Sequence, residues 1–581
     1  MATALEHSQL KAWFTDSEDS SFSSRAMSER DRDYLDGNQL SAEEISELTK
    51  RGQPVVVMNQ IRRKINLMLG LELQRRTDPK GFAVQPSDQG GADAMTDALR
   101  FVVDNTNFDP IRSQVFESMI VEGFAGAEVI HTVRRGKMEV AINFYPWDRL
   151  FYDPHSRARD FSDARYVGSV VWKDAEDFAS PAEIEEMASF SASESMSETY
   201  DDKPRNNAFL SRDRKRVRLI LMWYRHKGDW HWARFTGSKI LGGDKSQYVD
   251  ENGETISAFV MQSLYVDRNN NRYGMVRDFI SPQDEVNKRR SKALWQSTMR
   301  QTMGEEGAVK SVTKMKEEMS KADGHIVTQP DKSFEVISPN DQVNAHLTLL
   351  QEAKGEISDM GAKAVLAGQA GESTSGRAVL ARQQGGLVEV TSQFAALGEF
   401  SRNIHRHIWW MVKQTWTEER WIRVTDDKRN TRFVGINQPF TVRDQLKELP
   451  EEQALAFARQ EGLRPDDPRL GMQAGVRNKV EEIDIDVKIE DVPDTVSVKG
   501  ETFDALINMA AIIPDQARGI FTELLIEVSP LRAETRDRLL AGIRGQMEQA
   551  APLDQAEREA QVITAVAESV TAEREAKGQA S

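Results

Sequence analysis

Apolar positions along the chain change period four times, and each change marks a switch between helix and strand. Val57, Ile61, Ile65 and Leu69 stand four residues apart and predict a helix over Pro54–Leu71. Ser41-Ala-Glu-Glu is a capping box, with Ser41 at the N-cap and Glu44 at the third helical position, opening a helix towards Leu48. Two more helices are expected at Gly91–Val103 and Pro110–Phe124. Residues 1–35 are polar, with a Ser-rich run from Ser17 to Ser24, and read as a flexible arm holding one short helix. From Ala127 the period becomes two. Glu128-Val-Ile-His-Thr-Val and Met138-Glu-Val-Ala-Ile-Asn-Phe alternate around Arg135-Gly136, the pattern of a hairpin. Strands are predicted again at Tyr166–Trp172, Val217–Tyr224, Trp230–Thr236 and Phe259–Tyr265. Asp174–Lys203 interrupts them with ten carboxylates against one lysine and reads as a surface excursion. The basic run Arg212–Arg218 reads as the wet face of a strand and turn.

Helical spacing returns at Ser281-Pro-Gln-Asp, with Pro282 suited to a first helical position, and should run to about Met303. Residues 281–303 hold five Lys/Arg and two Asp/Glu. Gly304 and Gly307 end this helix. A small α/β insert follows over 304–340, with a helix near Val312–Ser320, a turn at Pro330-Asp331 and a strand at Phe334-Glu-Val-Ile. Asp341–Met360 is a second helix whose Val343, Leu347, Leu350 and Ile357 occupy heptad positions, with Lys354 breaking the seam. A Gly-rich break spans Gly361–Gly376. A long helix then reaches Trp416 with Phe394, Leu397, Ile404, Ile408 and Met411 on one stripe. Strands return at Trp421–Val424, Thr431–Gly435 and Ile483–Ile489, and residues 500–580 read as helices ending in an Ala/Glu/Gln-rich tail. The fold class is α+β.

Composition removes whole classes of function. None of the 581 residues is Cys, so disulfides, thiolate nucleophiles and Cys-based zinc sites are excluded. No run of apolar residues approaches the length of a membrane helix, and the opening residues lack the pattern of a secretory signal. The net charge is −16, the opposite of a protein that grips DNA phosphates tightly. Gly371-Glu-Ser-Thr-Ser-Gly-Arg-Ala is no phosphate loop, since Arg377 replaces the lysine and Ala378 the hydroxyl residue. His405 and His407 are two apart on a helix and face different ways; His226 and His231 lie among strands and tryptophans. Asp267-Arg-Asn-Asn-Asn-Arg spaces oxygen ligands like a calcium loop, but Arg272 stands where the sharp turn needs glycine. Asp484 and Asp486 are another such pair; turns and solvated charges are the favoured reading of both. Trp409, Trp410, Trp416 and Trp421 read as core or subunit-interface packing rather than base-stacking groups. No catalytic, cofactor-binding or metal residue emerges, and no cofactor is expected.

Four stretches carry a resemblance: Gln60-Ile-Arg-Arg-Lys-Ile-Asn-Leu-Met-Leu-Gly, Tyr145-Pro-Trp-Asp-Arg-Leu-Phe-Tyr-Asp-Pro-His-Ser, Ser281-Pro-Gln-Asp-Glu-Val-Asn-Lys-Arg-Arg-Ser-Lys-Ala-Leu-Trp, and Leu349-Leu-Gln-Glu-Ala-Lys-Gly-Glu-Ile with Gly371-Glu-Ser-Thr-Ser-Gly-Arg-Ala. In this order, over roughly residues 40–500, the chain resembles the portal protein (head-to-tail connector) of tailed bacteriophages, most closely the P22-type portal of short-tailed phages. The resemblance implies a non-enzymatic ring, usually of twelve subunits, at one capsid vertex of the virion, assembled in the host cytoplasm. Double-stranded DNA would pass through it during packaging and ejection. The implied partners are other copies of the chain, the terminase large subunit, a head-to-tail adaptor, and major capsid and scaffolding proteins, with no membrane. It further implies a wing at 36–275 and 418–500 and a stem at 276–303 with 341–361. A clip would cover 304–340, a tunnel loop 362–376, a long wing helix 377–417, and a helical crown and tail 501–581. Lys363 and Arg377 at the loop margins become candidate DNA-channel contacts. Val343, Leu347, Leu350 and Ile357 become candidate oligomer-interface residues. The competing reading is an intracellular divalent-metal hydrolase with Asp, Glu and His ligands.

Overall fold

The computed structural model describes residues 3–74, 79–83, 89–174, 210–211, 216–298, 301–321, 323–337, 340–361, 376–427, 430–448, 468–482, 485–489 and 526. They belong to two units, residues 1–70 with 102–417 and residues 71–101 with 418–581. Helices α1 (His7–Asp36), α2 (Ala42–Lys50) and α3 (Ile61–Gln74) open the chain, followed by strand β1 (Pro79–Ala83), α4 (Gln89–Thr106) and α5 (Phe108–Val121). Then come β2 (Phe124–Arg134), β3 (Lys137–Tyr145), β4 (Leu150–Tyr152), β5 (Tyr166–Asp174), β6 (Leu210–Ser211), β7 (Arg216–His226), β8 (Asp229–Phe235) and β9 (Ile240–Lys245). β10 (Phe259–Ser263), β11 (Tyr265–Val266) and β12 (Arg272–Tyr273) complete this β-rich region. Two antiparallel sheets result, one ordered β10-β2-β3, the other β4-β5-β7-β8-β9 with β6 alongside β7. The hairpin expected around Arg135-Gly136 is present; both residues have positive φ, 52° and 76°, as the turn matching the right-handed twist of a two-residue hairpin requires. The edge strands β4 and β9 were not visible in the sequence pattern.

Residues 1–35 are not a loose arm. Residues 7–36 form one continuous 30-residue helix, because a heptad-spaced stripe is buried along its length: Leu10, Phe14, Ser17, Ser21, Ser24, Ser28, Asp31 and Leu35. The first half is apolar and joins Phe151, Tyr166, Val170, Ile220, Tyr224 and Phe235 in a core against the larger sheet. The second half is polar, and its serines and Arg25 are hydrogen-bonded. Ser17 donates to the carbonyl of Tyr152 at 2.7 Å, Ser28 to that of Glu122 at 2.9 Å, and Arg25 to those of Trp147 and Leu150. Small hydroxyls let the helix approach closely, and they satisfy carbonyls that would otherwise be buried unpaired.

Three ion pairs extend this attachment. Asp31, fully buried, lies 3.4 Å from Arg277, and Arg32 bonds both Glu117 and Glu122. Burial pushes Glu122 up to about 7 and Asp31 up to about 6, against the lowering pull of Arg32 and of Arg277 with Arg30. Both carboxyls thus hold a proton more firmly folded than unfolded, so their contribution to stability is greatest below pH 4, where they are buried neutral. It is lost as pH rises through about 6 and 7 and burial must accommodate charges that the arginines only partly offset. We expect amide-hydrogen exchange in α1 to be slower at pH 5 than at pH 8, after correction for intrinsic exchange. The double variant Asp31→Asn/Glu122→Gln should flatten that difference; an unchanged profile would show that other groups cause it.

Further along come α6 (Val276–Thr298), β13 (Gln301–Gly304), α7 (Val312–Ser320), β14 (Phe334–Ile337), α8 (Asn340–Asp359) and α9 (Gly376–Thr415). α6 starts five residues before the expected Ser281, so Pro282 lies inside it, and it ends at Thr298; Met303 is in a strand. The helix predicted from Pro54 begins only at Ile61, since the segment before it is held extended by α6. Gln283 and Asn287 accept hydrogen bonds from the backbone of Gln60 and Met58, and Ser291 donates to the Pro54 carbonyl. Val57 is consequently exposed, and the buried stripe of α3 in the first unit is Ile61, Ile65 and Met68 rather than one ending at Leu69. The stripe on α9 is as expected at Leu397, Ile404, Ile408 and Met411, all fully buried, while Phe394 is half-buried beside Phe116.

In the second unit, β15 (Arg420–Asp427) pairs with β16 (Asn430–Ile436), and β17 (Gln438–Thr441) with β18 (Gln473–Arg477). α10 (Val442–Glu448) follows β17, and β19 (Ile485–Ile489) pairs with β1. Residue 526 is helical, and the remainder of the expected helical crown and tail over 501–581 lies outside the described residues, as do residues 175–203 of the acidic excursion and 362–375 of the loop.

Candidate functional site

The part of the first unit least able to stand alone is the helix pair α6–α8 with the insert between its members. The helices pack along each other antiparallel, fixed by Gln296 donating to Gln342 at 3.0 Å and by Arg289 facing His346 at 3.4 Å. Burial and the neighbouring Arg289 and Lys292 lower the His346 pKa, so a neutral ring accepts from the guanidinium. β13 and β14 continue the register, Gln301 opposite Ile337 and Gly304 opposite Phe334, so the insert sits on the end of the pair as a two-stranded ribbon with α7 beside it. Ser311 caps α7 through the backbone N–H of Lys314. The only fully buried apolar side chains of the described insert are Ala308 and Met315. Met303 is 62% exposed, Val312 57% and Val327 66%. A module of this size cannot close its own core.

The other end of the pair is pinned. Lys64 of α3 donates to the carbonyls of Ser358 and Met360, at 2.7 and 2.9 Å, the unsatisfied groups at the C-terminus of α8. Gly361 then turns with φ 65°, against Met275 and Phe279. Neither contact is readable from the local sequence, because Lys64 is some 300 residues away. On the polar side of α6, Gln283, Asn287 and Ser291 clasp residues 54–60, and Asp284 accepts from Tyr34 at 2.6 Å. Lys288 and Lys292 remain exposed.

The four heptad residues of α8 divide. Leu350 and Ile357 are 4% and 2% exposed within the chain itself, joined by Ala353, whereas Val343 is half-buried and Leu347 is 36% exposed. Lys363 lies outside the described residues. Of Arg377 only the backbone is placed, in the first turn of α9.

The candidate ligand residues are engaged in packing and turns. His405 is buried beside the Phe108 ring, and burial brings its pKa down to about 3; His407 instead faces the carbonyls of Asn403 and Ser257. His226 and His231 stack edge to face on the hairpin β7–β8. Asp267 accepts the backbone N–H groups of Asn269 and Asn271, both at 2.8 Å, closing the β11–β12 turn in which Asn270 has φ 66°. Asp484 lies outside the described residues and Asp486 lies on β19. Trp409 and Trp416 are buried, while Trp421 is 62% exposed. Among the described residues no three His, Asp or Glu side chains cluster as a metal site. Among them, too, no helix is long and apolar enough to cross a membrane.

A family model described as phage P22-like portal protein matches residues 11–580. The portal protein of Helicobacter pylori bacteriophage KHP30 is 22% identical over 415 residues, 70% of this chain and 66% of that protein. The chain thus spans just under two thirds of that relative's length.

Proposed function

The chain belongs to the phage P22-like portal protein family, and from that premise we propose that it assembles as a ring, most simply of twelve copies, at one vertex of a phage capsid. Double-stranded DNA would move through the ring during packaging and ejection. The insert at 304–340 would be the clip, docking the terminase large subunit and later a head-to-tail adaptor. Major capsid and scaffolding proteins would meet the outer surface. The observation that carries the reading is the family match over nearly the whole length. The nearly coreless insert on a pinned helix pair supports it, because such a module gains its missing burial from neighbours.

Negative-stain microscopy of the purified full chain tests the reading directly. Rings with a central hole are expected; monomers or small oligomers with metal-dependent turnover would replace it with the hydrolase reading. The tunnel loop 362–376, with Lys363 and Arg377 at its margins, would face the channel. A net charge of −16 suits a low-adhesion passage, in which a few cations per copy make transient phosphate contacts. Lys363→Ala/Arg377→Ala should leave assembly intact and alter DNA packaging or retention, with an effect that shrinks as salt rises. Wild-type packaging and retention at low salt would make the loop a structural corner.

A further inference from the structure

The β2–β3 ribbon has opposite chemistry at its two ends. β10 pairs with β2 only as far as Glu128, so the ribbon from Val129 and Ile142 outward is two-stranded. Its tip, residues 132–138, is exposed throughout and carries Arg134, Arg135 and Lys137 with no anion, in a chain of net charge −16. Val133 and Met138 face each other in register, 69% and 40% exposed. Such a tip presents basic and apolar groups together to solvent.

At the root of the same ribbon is a cavity of about 590 Å³, walled by Phe144 and Pro146 of the ribbon's own exit. Six carboxyl groups line it (Glu29, Asp33, Asp36, Glu117, Glu122 and Asp148) against two arginines, Arg32 and Arg149, an excess of four acidic side chains. Arg32 is already taken by Glu117 and Glu122. Glu122 is fully buried and its Oε2 has no hydrogen-bond partner; Asp148 Oδ1 has none either. The cavity wants cations and offers apolar surface beside them. The tip supplies both.

We propose that the β2–β3 tip of one copy docks in the acidic cavity of the next copy. This rests on the ring reading and names a contact through which the copies meet. A tip cannot serve its own cavity: Lys137 and Phe144 are seven strand steps apart, roughly 24 Å along a straight ribbon. A contact joining two different patches is heterologous, so it runs head to tail and closes into a ring when the rotation allows.

The chain has no cysteine, so an engineered pair is unambiguous. Full-length protein carrying Arg134→Cys/Asp33→Cys, oxidised at assembly concentration, should give a ladder of covalent multimers on a non-reducing gel. Neither single variant should. Rings by microscopy without a ladder would overturn the proposed contact and leave the ring reading standing. Neither rings nor ladder would overturn both. As a variant with no new covalent chemistry, Arg134→Glu/Lys137→Glu changes only exposed residues. It should weaken assembly by roughly tenfold or more in sedimentation, with partial recovery on adding Asp33→Arg. Assembly equal to wild type in that charge-reversed variant would equally overturn the contact.

Discussion

Arg272→Met should destabilise the first unit by about 2–4 kcal/mol, the largest single-residue loss expected among its polar groups. Arg272 is fully buried, and its guanidinium bonds the carbonyls of Ser156 at 2.6 Å and Ala158 at 3.0 Å and the hydroxyl of Ser263 at 3.3 Å. It also lies over the rings of Phe161 and Tyr152, 4.7 and 5.6 Å from their centroids. Methionine would fill much of the space and remove the cost of a buried charge, which opposes the loss. It strips a charged donor from each carbonyl, leaving Ser156 with only the Asn270 amide at 2.6 Å and Ala158 with only the Phe161 N–H at 3.4 Å, at about 1–3 kcal/mol per lost bond, and forfeits the cation–π contacts. The lost charge-assisted bonds and ring contacts outweigh the relieved charge. Arg272→Lys retains the charge but not the fork that reaches several acceptors, so it should recover less than half of the loss. Denaturant titration followed by tryptophan fluorescence checks this, and a midpoint within experimental scatter of wild type for Arg272→Met would refute it.

That residue also shows where sequence reasoning stops. The turn at Asp267–Asn271 was legible, because Asp and Asn close such turns through their own side chains. That Arg272 fastens the irregular segment 153–165 was not, because its acceptors are backbone carbonyls, and a carbonyl has no sequence signature. The same blindness explains α1. A heptad pattern was present at Ser17, Ser21, Ser24 and Ser28, but hydroxyls register as polar in any hydrophobicity count, so an integral helix looked like an arm. Residues 54–60 failed for the converse reason: Val57 and Ile61 fit a helical period, yet side-chain amides of α6 hold the backbone of Met58 and Gln60 extended. Tertiary hydrogen bonds overrode a local preference. What was readable was what local chemistry fixes. The turn at Arg135-Gly136, the cap at Ser41 and the long apolar stripe of α9 needed no partner from elsewhere in the chain.

The candidate interface was half legible, and the division within it gives the second large effect. Val343→Asp/Leu347→Asp should abolish ring formation while leaving the chain folded. Heptad spacing located four apolar residues on α8, but spacing alone cannot say which helix covers them. Within the chain, Leu350 and Ile357 are buried, so an aspartate at either would break the α6–α8 pair itself, and lost assembly would then be uninformative. Leu347 is 36% exposed and Val343 half-buried, so the monomer loses little when they change. Val343 also lies in the first turn of α8, where a carboxylate meets the positive end of the helix dipole. In a ring these two positions recur at every subunit boundary, so the cost of burying unpaired carboxylates is multiplied by the number of boundaries. Light scattering should report monomer for the double variant at concentrations where wild type is a ring. Circular dichroism should be unchanged, and Leu350→Asp should lose helical signal instead. Intact rings in Val343→Asp/Leu347→Asp would mean that the open side of α8 faces solvent in the assembly, and that copies meet through other surfaces.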